Sequence, residues 1–173
     1  LAAQVAPHEA VELANCAAGI VVEKRGTQPV QRHELEARLR TEAGGPKQLP
    51  QEILVQILRK AQAEGKRVVF TNGCFDILHY GHAQYLEDAR AKGDILVVAL
   101  NSDRSLRRLK GSRRPLINQL DRMRTIAALE SVNYVTLFSA GTPRALIEML
   151  HPDILVKGAD WAKKDIAGAD VVK

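Results

Sequence analysis

The 173-residue sequence predicts an α/β fold, a doubly wound parallel sheet with helices on both faces, preceded by a short helical N-terminal segment. Three observations predict it. Short apolar runs alternate with stretches of helical periodicity from residue 50 onward. One run, Asp94–Leu100 (DILVVAL), is apolar on both faces, as a central parallel strand requires. The segments that join these elements are short, which implies right-handed crossovers.

Taken in order, Pro7–Lys24 (PHEAVELANCAAGIVVEK) is Ala-rich and weakly amphipathic, a helix whose small residues suit close packing and which ends near Gly26. His33–Arg40 reads as a second, short helix. Fewer than ~50 residues cannot bury an independent core, so residues 1–40 are expected to pack on something else. Thr41–Leu49, with paired glycines and a proline, reads as a linker.

Pro50 suits a first helical turn, Ile53, Leu54, Ile57, Leu58 and Ala61 recur at helical spacing, and Gly65 closes that helix. Arg67–Thr71 (RVVFT) is a strand, Asn72–Leu78 a loop, His79–Lys92 a helix capped by Gly93, and Asp94–Leu100 the second strand of a β-α-β unit. A short helix and a basic loop follow, then a helix over Asn118–Leu129 with Asn118 as N-cap and a strand at Tyr134–Phe138. A helix N-capped by Thr142, with Pro143 at its first position, precedes a last strand at Asp153–Val156. Sheets of this kind bind ligands beyond the carboxyl ends of their strands. Chemistry is therefore expected at Asn72–His82, Asn101–Asp103, Ser139–Gly141 and Lys157–Trp161.

Composition narrows the function classes. No apolar run approaches the ~18 residues of a membrane span, and the first residues lack the layout of a signal peptide, so a cytoplasmic protein without membrane partners is expected. Cys16 and Cys74 form no disulfide framework or metal-ligand spacing, and Cys74 reads as a small buried hydrophobe rather than a nucleophile. The net charge is +5, but Arg104–Arg114 (RSLRRLKGSRR) holds six basic residues and no acidic one, leaving 19 basic against 20 acidic elsewhere. One segment carries the excess. With only 4% aromatic residues for base stacking, a nucleic-acid-binding module built on that segment is the weaker reading.

The loop after the first strand ends in His79-Tyr80-Gly81-His82, two imidazoles three residues apart at the start of a helix. Unpaired amides and the positive end of the helix dipole favour an anion there, and two imidazole donors would stabilise charge developing on a phosphate. Gly81 permits close approach of a ligand, Gly73 a tight turn, and Asp76 supplies a polar group. No third Cys, His or carboxylate completes a metal-ligand set by spacing. Phosphoryl or nucleotidyl transfer fits this arrangement.

Thr71–His82 (TNGCFDILHYGH), followed by NSD (Asn101–Asp103), LKGSRRP (Leu109–Pro115), DRM (Asp121–Met123), ALESV (Ala128–Val132) and LVKGADW (Leu155–Trp161), resembles the cytidylyltransferase-like nucleotidyltransferases. Within them it is similar to the heptose 1-phosphate adenylyltransferase domains of bifunctional ADP-heptose synthases, over Leu49–Lys173. Ala10–Gly26 resembles the last helix of the ribokinase-type sugar-kinase domain that precedes the transferase in those enzymes.

The resemblance implies a Rossmann-like sheet of the HxGH nucleotidyltransferase type. It also implies an adenylyl transfer from ATP to D-glycero-β-D-manno-heptose 1-phosphate, giving ADP-heptose and pyrophosphate for the lipopolysaccharide core. His79, His82 and Lys110 take the catalytic roles. Asn72, Gly73, Phe75, Asp76, Gly81, Asn101, Ser102, Asp103, Arg114, Arg122, Lys157, Gly158 and Asp160 are the expected nucleotide-binding set. Mg²⁺ is held through the phosphates, with Asp76 as the one candidate protein ligand. Each has a plainer reading: Lys110 and Arg114 as a solvated loop, Lys157 and Asp160 as a turn pair, Trp161 as core rather than an adenine stack. The same chemistry with CTP and a polyol or amino-alcohol phosphate is the nearer alternative. A homodimer or higher homo-oligomer is expected. The domain reading is a kinase tail over 1–40, a linker over 41–49, and a transferase over 50–173 whose C-terminal Ser-Thr-Thr-type helix start would lie past Lys173.

Overall fold

The computed structural model describes residues 7–23, 26, 28–32, 34–35, 47–158 and 167–172. They fall into two units, within Leu1–Pro46 and Lys47–Lys173. In the first, helix α1 (Pro7–Glu23) matches its expected span. Most of the expected His33–Arg40 helix and of the linker lies outside the described residues. Among them, no helix is long and apolar enough to cross a membrane.

The second unit runs α2 (Gln51–Ala63), β1 (Val68–Gly73), α3 (Tyr80–Arg90), β2 (Ile95–Asn101), α4 (Asp103–Lys110), α5 (Gln119–Ala127), β3 (Tyr134–Phe138), α6 (Arg144–Leu150) and β4 (Ile154–Leu155). All pairings are parallel, in the order β3-β2-β1-β4. The order reverses at β1, whose neighbours are β2 and β4, and this reversal opens a crevice at the carboxyl end of β1.

The strand period of two sorts the core into two layers. Val68, Phe70, Ile95, Val97 and Ala99 face α2 and α6, where Leu54, Leu58, Leu146, Ile147 and Leu150 are buried. Val69, Leu96, Val98 and Leu100 face α3 and α5, against Leu86, Ala89, Met123 and Ile126. Burying each such side chain contributes about 1.5–3 kcal/mol, so the two layers hold the sheet from both sides. Asp94 accepts from Arg67 N at 2.8 Å, Asp153 from Val68 N at 2.7 Å and Asn133 from Leu96 N at 2.8 Å, so side chains satisfy backbone donors where strands begin. Gly93 must lack a Cβ, which would stand 2.7 Å from Val69 Cγ2 and 2.9 Å from Arg67 O.

Several boundaries differ from the sequence reading. β1 continues to Gly73, because Asn72 and Gly73 pair with Ala99 and Leu100. Lys47–Leu49, expected in the linker, lies along β3: Gln48 bridges Val135, and Val135 N donates to Lys47 O at 2.7 Å. The basic segment is chiefly helical, with Arg104, Arg107, Arg108 and Lys110 on α4. Asn118 caps α5 as expected, accepting from Leu120 N and Asp121 N. Thr142 does not cap α6; Pro143 holds that position without a side-chain bond.

Candidate active site

Two adjoining cavities open at the carboxyl end of the sheet. The larger, about 790 Å³, is lined by Asn72, Gly73, Phe75, His79, Gly81, His82, Asn101, Lys110, Lys157 and Gly158 of the sequence-derived set, together with Cys74, Tyr85, Leu109, Phe138, Gly141, Thr142, Pro143 and Ala167. The smaller, about 530 Å³, is lined by Cys74, Phe75, Asp76, Ile77, His79, His82, Lys110 and Arg114. Cys74, Phe75, His79, His82 and Lys110 form the wall between them.

His79 is the N-cap of α3 and makes no side-chain cap bond, so its ring is left to the cleft while the first-turn amides keep their affinity for an anion. Its ring lies 3.9 Å from that of His82, centroid to centroid. Gly81 makes room for this: a Cβ there would meet His79 at 3.1 Å. Burial, the neighbouring His79 and Lys110 all press the His82 imidazole below its ordinary pKa, so it is neutral at pH 7. Lys110, the last residue of α4, lines both cavities. Lys157, just past β4, donates to Asn72 O at 3.2 Å across the crevice.

Asp76 is nine-tenths buried and fully engaged. It accepts from Leu116 N at 2.8 Å, Ile117 N at 3.1 Å and Arg114 Nη1 at 2.7 Å, fastening the loop after α4 to the loop after β1. Through these bonds the carboxylate anchors a loop, and it also lines the smaller cavity, where a substrate or metal contact was expected. Burial alone would raise its pKa, but the Ile117 amide, Arg114 and the Leu116 amide outweigh it and hold the carboxyl below its ordinary value. Stability from Asp76 is therefore complete above the unfolded value near 3.9 and is lost as pH falls through the lower folded value. Asp76→Asn, which turns an amide donor toward either Arg114 or the backbone amides, is expected to cost about 1–3 kcal/mol at pH 7. Thermal melts from pH 7 to 2.5 check this: the gap between the two proteins should close at the acid end, and a gap independent of pH would contradict the bonding described.

Arg122 also departs from its expected nucleotide contact. Its side chain is wholly buried and lines neither cavity. Its guanidinium donates to Cys74 O at 2.6 Å, Asn101 O at 2.9 Å, Ile117 O at 3.0 Å and Asp103 Oδ1 at 2.7 Å. Asp103 and Ser102 are likewise structural. Ser102 caps α4 through Ser105 N and accepts from Ser139 Oγ at 2.9 Å, while Asp103 N donates to Gln119 Oε1 at 3.0 Å. Cys74 is a cleft residue rather than a core one, half-buried with Sγ 3.7 Å from Asn101 Oδ1.

Asp160 and Trp161 lie outside the described residues. Arg104, Arg107, Arg108 and Arg113 are exposed and line neither cavity, so of the basic segment Lys110 and Arg114 face the site. Among the described residues, no group of three or more His, Cys, Asp or Glu is placed to hold a metal. The sequence did not mark Tyr85, Phe138, Thr142 or Ala167 as site residues. Phe138 ends β3 and Thr142 precedes α6, both where the carboxyl-end rule points; Tyr85 and Ala167 carried no local signal.

A model of the family described as cytidylyltransferase-like matches residues 70–171, from within β1 to the last described turn. The chain belongs to the cytidylyltransferase-like family. Among its relatives, the bifunctional protein HldE of Methylobacillus flagellatus is 48% identical over 96% of this chain and 35% of its own length. That of Campylobacter curvus is 51% identical over 95% of this chain and 36% of its own. The chain thus spans about a third of these curated relatives. A solved structure, the lipopolysaccharide core biosynthesis protein from Thermoplasma volcanium, aligns with a TM-score of 0.51 and 34% identity over 56% of this chain and 78% of that one. In this cytidylyltransferase-like chain, the wall shared by the two cavities includes both histidines and follows β1, where the strand order reverses.

Proposed function

We propose that the chain transfers the adenylyl group of ATP to D-glycero-β-D-manno-heptose 1-phosphate, forming ADP-heptose and pyrophosphate. The observation that carries this reading is the shared wall: His79, His82 and Lys110 border both cavities, so a phosphorus atom between two bound substrates meets all three. ATP occupies the larger cavity, whose volume lies within the usual range for such ligands. The sugar 1-phosphate occupies the smaller one, with Arg114 at its edge. An oxygen of the sugar phosphate attacks the α-phosphorus, the bond to the β-phosphate oxygen breaks, and pyrophosphate leaves with the electron pair.

A phosphate monoester has its second pKa near 6, so the nucleophile is largely ionised at neutral pH and needs no base. What the reaction needs is stabilisation of charge on the phosphoryl oxygens. The imidazoles of His79 and His82 and the side chain of Lys110 supply that. No carboxylate lines the larger cavity among the described residues, and Asp76 is bonded. The fit for Mg²⁺ is thus as an ion carried on the triphosphate, where it neutralises phosphate charge when bound.

The HldE names and the lipopolysaccharide core title support this choice of acceptor, and the alignment of nearly the whole chain supports reading residues 1–40 as the tail of an upstream sugar-kinase domain. The reading places the reaction in the cytoplasm, where ATP is available. Pyrophosphate release with ATP, Mg²⁺ and heptose 1-phosphate tests it, in a panel that includes CTP and glycerol or ethanolamine phosphate. Release dependent on both ATP and the heptose phosphate is expected; turnover with CTP and a polyol phosphate alone would reassign the substrates, and no turnover with any pair would overturn the reading.

A further inference from the structure

A catalytic imidazole is ordinarily aimed by a hydrogen bond at the nitrogen that does not face the ligand. His82 lacks one. Its Nδ1 is sealed from solvent and has no partner among the described residues. Two rings stand against it: His79 at 3.9 Å, and Phe75 at 5.2 Å with its plane tilted by 59°.

Phe75 is itself firmly set. It is 8% exposed and belongs to the core layer that contains Leu86, Leu100 and Met123. Its φ of 45° lies in the left-handed region, which a bulky side chain adopts only when its surroundings impose it. The constraints are visible on each side. Arg122 holds the carbonyl of Cys74 before it, and Arg114, Leu116 and Ile117 hold the carboxylate of Asp76 after it. Gly73 leaves the ring its space, since a Cβ there would come within 2.8 Å of it.

From this geometry we infer that Phe75 is a positioning residue: its core-anchored ring, in place of a hydrogen bond, fixes His82 in the Nε2–H tautomer with that N–H directed to substrate phosphate. The tautomer follows from the sealed Nδ1. A proton there would be a buried donor without an acceptor, whereas a bare Nδ1 is an under-used acceptor, which proteins tolerate better. The proton therefore sits on Nε2, the nitrogen a phosphate can reach. The role of Phe75 toward phosphate rests on the proposed function; its control of the tautomer does not.

Long-range proton–nitrogen correlation spectra of the imidazoles, recorded on the ligand-free chain at pH 8 and assigned with His82→Gln, test the inference directly. The unaltered protein should show one Nε2–H tautomer at His82, and Phe75→Leu should give averaged nitrogen shifts. With ATP and heptose 1-phosphate, Phe75→Leu should lose on the order of tenfold in kcat while the KM for ATP stays within about twofold, the mark of misplacement rather than lost binding. Averaged shifts or an Nδ1–H tautomer in the unaltered protein would overturn the inference, as would Phe75→Leu keeping both tautomer and kcat. Phe75→Met serves if the leucine variant melts early. Absence of turnover in the unaltered protein would remove the proposed reaction and leave the tautomer result standing.

Discussion

His82→Ala is expected to lower kcat by about 10²–10³-fold, the loss found when a preorganised donor to a developing phosphoryl or oxyanion charge is removed. The wall between the cavities explains the size of the effect. His82 borders both, so in the proposed reaction its donor would meet the phosphorus that changes hands rather than a spectator phosphate. The KM for ATP is expected to change little, because Asn72, Lys110, Lys157 and the first-turn amides of α3 still border the larger cavity, the proposed ATP site. Stability is expected to hold as well: alanine removes an orphaned buried nitrogen along with the ring's packing on Phe75. Steady-state pyrophosphate release with both substrates varied measures the split. A rise in KM at unchanged kcat would move His82 from the reacting centre to ground-state binding.

The largest expected effect on folding belongs to Arg122→Met. Methionine keeps much of the side chain's length but leaves Cys74 O, Asn101 O, Ile117 O and the Asp103 carboxylate without their donor. Removing one partner of a buried ion pair typically costs about 3–5 kcal/mol, against about 0–1 kcal/mol for an exposed pair. The exposed Arg124–Asp121 pair, at 3.6 Å, is the internal control: Arg124→Met should scarcely move the melting temperature. Chemical denaturation of both variants decides it, and an Arg122→Met protein within 1 kcal/mol of the parent would refute the accounting. The cleft should suffer too, since this guanidinium joins the loop at Cys74, the end of β2 at Asn101 and the segment after Lys110.

Arg122 also shows how far the sequence could be read. The DRM segment stood out as a motif, and a charged residue on a helix is by default assumed to face water or a ligand. Yet Gln119, Arg122, Met123 and Ile126 share one face of α5, and the last two are core. Helical periodicity put Arg122 on the buried stripe; only the neighbouring loops, contributed from Cys74, Asn101 and Ile117, explain how a charge is accommodated there. The contacts with Asn101 and Cys74 join residues 21 and 48 positions apart, beyond any local pattern. Asp76 is the same case. Its place beside the histidines was legible, but its three donors come from 38 to 41 residues downstream. By contrast, the strand runs, the Asn118 cap and the histidine pair are local signals, and these led directly to the parallel sheet and to the centre of the cleft. β1 was read two residues short because Asn and Gly are weak strand formers, and only pairing with Ala99 and Leu100 keeps them in the sheet.

The narrow attachment of β4 has a consequence for how the chain folds. This strand joins β1 through two residue pairs, Val69 with Ile154 and Phe70 with Leu155, some 85 positions apart, whereas β1 and β2 pair over six positions only 27 apart. Closing the longer loop costs more chain entropy and yields fewer bonds, so β4 is the edge that docks late and opens first. Lys157 rides on that edge. A nucleotide that spans from the histidine loop to Lys157 would therefore bind the finished sheet in preference to any partly folded form, and under the proposed function ATP would act by mass action as a brace for the last strand to arrive.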